Sequence, residues 1–172
     1  MDYRKFSDLG RYLFEEVGPR FRSSGVIEPV DLFMIFIWKA NRAKTKTRDK
    51  LKKLASGSFA IATGRIAAAL SATEDRKERL GILMRDWELR LPMASAILTV
   101  LYPDEFTVYD WRVCKMLSFP YKNSRFSARR WSEYESYKNA VLKSAPLGLS
   151  LRDSDRFLWG KSLWEDAQRD AQ

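Results

Sequence analysis

Apolar side chains recur at steps of three and four along most of the chain, the spacing that gathers them on one face of an α-helix. Tyr3, Phe6, Leu9, Leu13 and Val17 predict a first helix over residues 2–17, stopped by Gly18-Pro19. Glu28-Pro29 opens a second, in which Leu32, Phe33, Ile35, Phe36 and Ile37 leave little polar surface, so it reads as buried. A basic helix over 45–55 and an Ala-rich one over 58–70 follow. Thr73 is the expected cap of a helix over 74–84, with Glu74 and Asp75 in its first turn. Residues 93–101 are small and apolar, and later helices start near Asp110, Ser127 and Ser150. Only Phe106-Thr107-Val108-Tyr109 reads as a strand, and one isolated run makes no sheet. Without repeats or linkers, the pattern predicts one all-α domain over 1–172, a compact orthogonal bundle of about 8–10 helices.

Composition sharpens this picture. With 172 residues, 45% of them hydrophobic, the chain can bury one sizeable core. Its net charge of +9 is concentrated: residues 38–53 hold eight basic side chains against Asp49 alone, a net +7. Such a patch suits a polyanion. The absence of histidine and the single cysteine, Cys114, exclude a disulfide framework, the usual zinc sites, cysteine-ligated iron–sulfur clusters and His-dependent triads. No metal or cofactor is expected. The first residues lack an apolar signal core, and the longest apolar run, 32–38, is far below the roughly 20 residues of a membrane span, so a soluble, cytoplasmic monomer away from membranes is the expectation.

From Trp87 the chain reads as a turn, a helix of small residues (Ala94-Ser95-Ala96-Ile97-Leu98-Thr99), a proline-containing loop, and then Phe106-Thr107-Val108-Tyr109-Asp110-Trp111-Arg112-Val113. This order resembles the helix-hairpin-helix DNA glycosylase superfamily, in which a Gly-x-Gly hairpin leads into an Ala-rich helix and a catalytic Asp opens the next helix about 20 residues later. The likeness covers residues 86–117, about a fifth of the chain. It implies a hairpin-like element over about 80–101 and a catalytic helix from about 110, with Asp110 as the catalytic carboxylate. Glu88-Leu89-Arg90 stand where the motif has Gly-x-Gly. Pro92 stands where bifunctional members carry the Schiff-base lysine, which implies a monofunctional enzyme that leaves an abasic site without nicking the strand.

Cleaving an N-glycosidic bond builds positive charge on the deoxyribose, so a fixed carboxylate stabilises the transition state and orients the attacking water. A helix N-terminus is a favourable place for that charge. The base must also be flipped from double-stranded DNA into an aromatic pocket, for which Trp38, Tyr109, Trp111, Tyr121 and Trp159 are the candidates. Candidate DNA contacts are Lys39, Asn41, Arg42, Lys44, Lys46, Arg90, Ser95, Arg112 and Arg129, and Arg125 and Arg130 extend a second basic patch. Trp38-Lys39-Ala40-Asn41-Arg42 also resembles a Trp-Lys-x-x-Arg stretch of small bacterial relatives. The base removed is expected to be damaged or modified, with substituted cytosines of phage DNA favoured.

Plainer roles stand beside these. Asp110 alone reads as a helix N-cap, Cys114 as a core residue, and Ser150 with Asp153 as a capping box. Asp155 and Trp159 share one face of the last helix, where they would close the pocket. The competing function is a non-enzymatic helical DNA- or RNA-binding protein on a glycosylase-like scaffold.

Overall fold

Helices account for most of residues 2–122 and 124–171, the part of the chain described by the structure, a computed structural model. These residues form ten α-helical segments and contain no strand. The first rod differs from its expected bounds. Asp8 starts it by accepting the N–H of Arg11 at 2.9 Å, and α1 (Leu9–Tyr12) passes through one π turn (Leu13–Val17) into α2 (Gly18–Ser24). Gly18-Pro19 therefore does not end it. The wide turn, closed by the Gly18 N–H on the Leu13 carbonyl, delivers Pro19 to a first-turn position where its missing N–H costs nothing. The stop is Gly25, at φ +70°, whose N–H reaches the Phe21 carbonyl at 2.7 Å.

Glu28 is extended and Pro29 occupies the first turn of α3 (Pro29–Ala40), whose Leu32, Ile35 and Phe36 are completely buried. A 3-10 turn (Asn41–Ala43) leads to α4 (Lys44–Leu54), which buries only Leu51 and presents its lysines outward. Ser58 caps α5 (Phe59–Ser71). The next helix, α6 (Arg76–Gly81), begins at Asp75 and not at Thr73: the Asp75 carboxylate accepts the N–H groups of Lys77 and Glu78, while Thr73 Oγ1 accepts the N–H of Asp75. A second π turn (Ile82–Asp86) carries it to the turn before α7 (Leu91–Leu101).

Ten of the eleven residues of α7 are buried, and α2, α3 and α6 all pack on it. Its backbone is approached closely: a Cβ at Gly18 would lie 2.3 Å from the Val100 carbonyl oxygen, so only glycine lets α2 sit there. The last three helices, α8 (Trp111–Met116), α9 (Ala128–Ser144) and α10 (Leu151–Asp170), form one group with α10 against both others. No single helix among the described residues is long and apolar enough to cross a membrane.

Between α7 and α8 the run 106–110 is extended yet joins no sheet. Much of its polar backbone is paired with side-chain hydroxyl groups instead. Tyr134 donates to the Thr107 carbonyl at 2.7 Å and accepts the Thr107 N–H at 3.0 Å. Tyr137 donates to the Val108 carbonyl at 2.9 Å, and Ser95 Oγ accepts the Tyr109 N–H at 2.8 Å. Tyr134, Tyr137 and Ser95 are completely buried, so water cannot replace them. Replacing Tyr134 by Phe strands both backbone groups of Thr107 and is expected to cost about 2–3 kcal/mol. For a chain this long that lowers the melting temperature by roughly 4–12 °C. Thermal unfolding followed by circular dichroism checks it, and a shift below about 1 °C would show the bonds to be dispensable.

Candidate functional site

Asp110 ends the extended run and begins α8. Its Oδ1 accepts the Arg112 N–H at 2.9 Å, the N-cap bond, and its own N–H points to the Tyr137 hydroxyl at 3.4 Å. Oδ2 faces the other way and takes the Lys39 ammonium from the end of α3 at 2.6 Å. Both side chains are largely buried, at 12% and 15% exposure. Asp110 is thus a helix cap through one oxygen and part of a charged wall through the other.

That wall borders a cleft of about 470 Å³. One side is Trp38, Lys39, Val108 and Asp110; the other comes from α10, as Arg152, Asp155, Arg156, Trp159 and Gly160. A Cβ built on Gly160 meets nothing within 4 Å, so the space before it is open. The Arg152 guanidinium lies 4.2 Å from the Phe14 ring centre and 5.4 Å from that of Trp38, and it donates to Asp155 Oδ2 at 2.8 Å. Burial lowers the Arg152 pKa. Asp155 is only 4% exposed, and burial drives its carboxyl up to about 6. Arg152 and Lys39 oppose that rise and the Asp110 charge adds to it. The cleft therefore holds two carboxyl groups in different surroundings, one bonded to a helix N-terminus and a lysine, the other desolvated beside an arginine. That is the arrangement from which acid and base roles can be divided.

Of the residues singled out in the sequence, Trp38, Lys39, Asp110, Asp155 and Trp159 meet at this cleft. Tyr109 does not: its side chain is buried, with its hydroxyl donating to the Pro120 carbonyl and accepting the Lys122 N–H, so it cannot face a base. Burial pushes that phenol up to about 12. Tyr121 stacks on Tyr109 at 5.3 Å, outside the cleft wall, and Trp111 is exposed under the Arg112 guanidinium. Ser95 is likewise corrected from a DNA contact to a buried support of the Tyr109 backbone. Arg112 is tied to Asp166, which Arg169 and Lys115 also grip and which is held down to about 2. Arg129 pairs with Glu133, and Lys44 turns back onto the Asn41 carbonyl and side chain. Asn41, Arg42, Lys46 and Arg90 lie on the surface. Ser150 Oγ accepts the Asp153 N–H at 3.0 Å, as a capping box requires. Cys114 is buried, its thiol pushed up to about 12 by desolvation.

Arg152, Arg156 and Gly160 were not visible as site residues, although with Asp155 and Trp159 they recur at the three- and four-residue steps of one helical face. A second, more basic cleft of about 440 Å³ lies at the turn before α7, where Lys50, Arg85, Arg90 and Arg125 surround Glu88. Lys50 reaches the Glu88 carbonyl oxygen at 2.7 Å and its carboxylate at 2.9 Å.

Comparison with protein-family models, with curated proteins and with solved structures gives no match in any of the three.

The Asp155 carboxyl makes a prediction about stability. Its folded pKa lies above the unfolded value near 3.9, so the folded state binds more protons between about pH 4 and 6, and its contribution is present below pH 4 and lost as pH rises through 6. The stability of Asp155→Asn relative to the parent should therefore increase between pH 4 and 7, by about 3 kcal/mol at most. Urea unfolding of both proteins at pH 4, 5, 6 and 7 measures the difference, and parallel pH curves would disprove it.

Proposed function

We propose that the chain is a monofunctional DNA glycosylase of helix-hairpin-helix type, which hydrolyses the N-glycosidic bond of a flipped damaged or modified base and leaves an abasic site. The observation that carries this is the setting of Asp110. The carboxylate that the family pattern singles out opens into a cleft bordered by two indoles, Trp38 and Trp159. A nucleobase stacks on such walls.

The turn before α7 supports the same reading. Glu88, at the position of the motif's first glycine, adopts φ +49°, the left-handed conformation that a glycine there would supply. Helix α7 then starts with Pro92 in its first turn. In the proposed complex, phosphates lie along α4 and this turn, with Lys46, Lys52 and Lys53 making no ion pair among the described residues. The flipped nucleotide enters between the two tryptophans. Asp110 stands beside the anomeric carbon, where it offsets the growing positive charge and takes the proton of the attacking water. Lys39 is then free to turn from Asp110 to the phosphate next to the flipped nucleotide. A modified cytosine, as in phage DNA, is the substrate favoured within this class, because the glycine-free turn points to a specialised substrate.

One observation favours a non-enzymatic DNA- or RNA-binding scaffold: Lys39 occupies Asp110 Oδ2 at 2.6 Å, as a purely structural ion pair would. Substitution separates the two. Duplexes carrying uracil, alkylated or oxidised bases, or hydroxymethylated or glucosylated cytosine are incubated with protein and abasic sites are revealed by alkali. Asp110→Asn should reduce release of the susceptible base by about 100-fold or more and leave DNA affinity within a few-fold. No release from any duplex by the parent protein would favour the scaffold.

The basic surface has its own test. Replacing Lys46, Lys52 and Lys53 together by Ala should make the slope of log K against log salt shallower by up to roughly 2.7, at about 0.9 per phosphate contact. Fluorescence anisotropy across 50–200 mM salt reads it, and an unchanged slope would place the DNA elsewhere.

A further inference from the structure

The glycosylase reading assigns a task to Asp110 and leaves the second carboxyl of the cleft without one. Asp155 is only 4% exposed, projects from α10 into the same cleft, and keeps one hydrogen bond among the described residues, from Arg152 to Oδ2. A carboxyl group buried with so few partners is costly to keep ionised and holds its proton more readily than an exposed one. Breaking an N-glycosidic bond has two demands: positive charge grows on the sugar and negative charge grows on the departing base. One acidic group in its charged form meets the first, and a second in its neutral form meets the other.

We infer that Asp155 is the general acid of this site, donating its proton to the base as the base departs, while Asp110 serves the sugar side. This rests on the glycosylase reading and deepens it. The bond between the anomeric carbon and the base nitrogen breaks, and its electron pair stays with the base. The proton leaves the Asp155 carboxyl for a ring nitrogen or carbonyl oxygen of that base. Water adds through oxygen to the anomeric carbon and gives one proton to Asp110. The products are the neutral free base and an abasic deoxyribose, with Asp155 ionised and Asp110 protonated, and exchange with solvent restores both.

The surroundings of Asp155 suit the role. Arg152, on its own helix, fixes one carboxyl oxygen from a guanidinium stacked on Phe14 and Trp38. Lys39 from α3 and Asp110 at the start of α8 act on it with opposite signs, and the neutral phenols of Tyr134 and Tyr137 on α9 lie behind it. A flipped base filling the cleft expels water and favours the protonated form further. Burial already places the group near pH 6 in the free protein.

The experiment is the pH dependence of single-turnover base release between pH 5.5 and 8.5. It uses the duplex from the panel above that the parent protein cleaves, and compares Asp155→Asn, Asp155→Glu and Asp110→Asn. For the parent, the rate should fall about tenfold per pH unit above a midpoint at or above 6. Asp155→Asn should be slower by about 100-fold at pH 6 and lose that limb, while Asp155→Glu keeps a limb with a shifted midpoint. Asp110→Asn should be slow at every pH. An Asp155→Asn protein that is slower by one factor at all pH values and retains the limb overturns the proposal and leaves the glycosylase reading intact. No base release by the parent overturns both. Should Asp155→Asn fail to fold by circular dichroism, Asp155→Glu decides, and an unmoved midpoint counts against the assignment.

Discussion

Hydroxyl groups, not a sheet, hold the extended run 106–110 inside this helical protein, and the cleft exists because they do. An extended segment exposes its N–H and C=O groups to the sides, and a strand normally answers them with neighbouring strands. Here Ser95 on α7 and Tyr134 and Tyr137 on α9 supply the partners. A hydroxyl donates and accepts at once, so Tyr134 satisfies both backbone groups of Thr107 with a single atom. Because the rings are rigid and fully buried, the position of Asp110 is fixed by two helices before any charge acts on it.

What stands around Asp110 is a balance of buried charge. Lys39 with Asp110 and Arg152 with Asp155 form two ion pairs facing one cleft. Such pairs recover their desolvation cost only through good geometry and further hydrogen bonds. Asp110 has the Arg112 N–H as well as Lys39. Asp155 has less, which is why its carboxyl rises while Arg152 loses some of its basicity to burial. The two acids differ through their second partners, a helix N-terminus for one and a dry helical face for the other. Lys39 links this balance to the outside, because it lies in the last turn of α3 and is the first lysine of the basic segment that continues into α4.

Periodicity was enough to read the all-α class and most helices, since a buried face at three- and four-residue steps leaves a mark in any sequence. It misplaced boundaries where backbone geometry departs from the regular helix. Gly18-Pro19 looks like a stop, yet a π turn carries the chain past it, and the reason, contact with Val100, lies eighty residues away. The cleft was partly visible: Trp38, Lys39, Asp155 and Trp159 were candidates from the residues and Asp110 from the resemblance, but Ser95 and Tyr109 have the polarity of surface contacts and turn out to serve the inside. Arg152 escaped notice because a stacked, half-buried arginine has the same letter as a solvated one. Nothing local in the sequence reports that Lys39 and Asp110, seventy-one positions apart, share a bond.

In the turn before α7 a glutamate takes a backbone conformation that favours glycine. A side chain at positive φ is strained, and Glu88 has to be held there. Lys50 does so by taking the Glu88 backbone oxygen and carboxylate together, and that pairing keeps the Glu88 carboxyl below its ordinary range. The bond reaches from α4 to the turn, so the most basic helix and the turn become one surface. In place of glycines this turn carries side chains, with Lys50, Arg85, Arg90 and Arg125 around one acidic residue. An approaching phosphate would compete with the Glu88 carboxylate for Lys50, just as one beside the cleft would compete with Asp110 for Lys39. In the proposed complex each exchange would swap a carboxylate partner for a phosphate, so that binding DNA would free a carboxylate at both places.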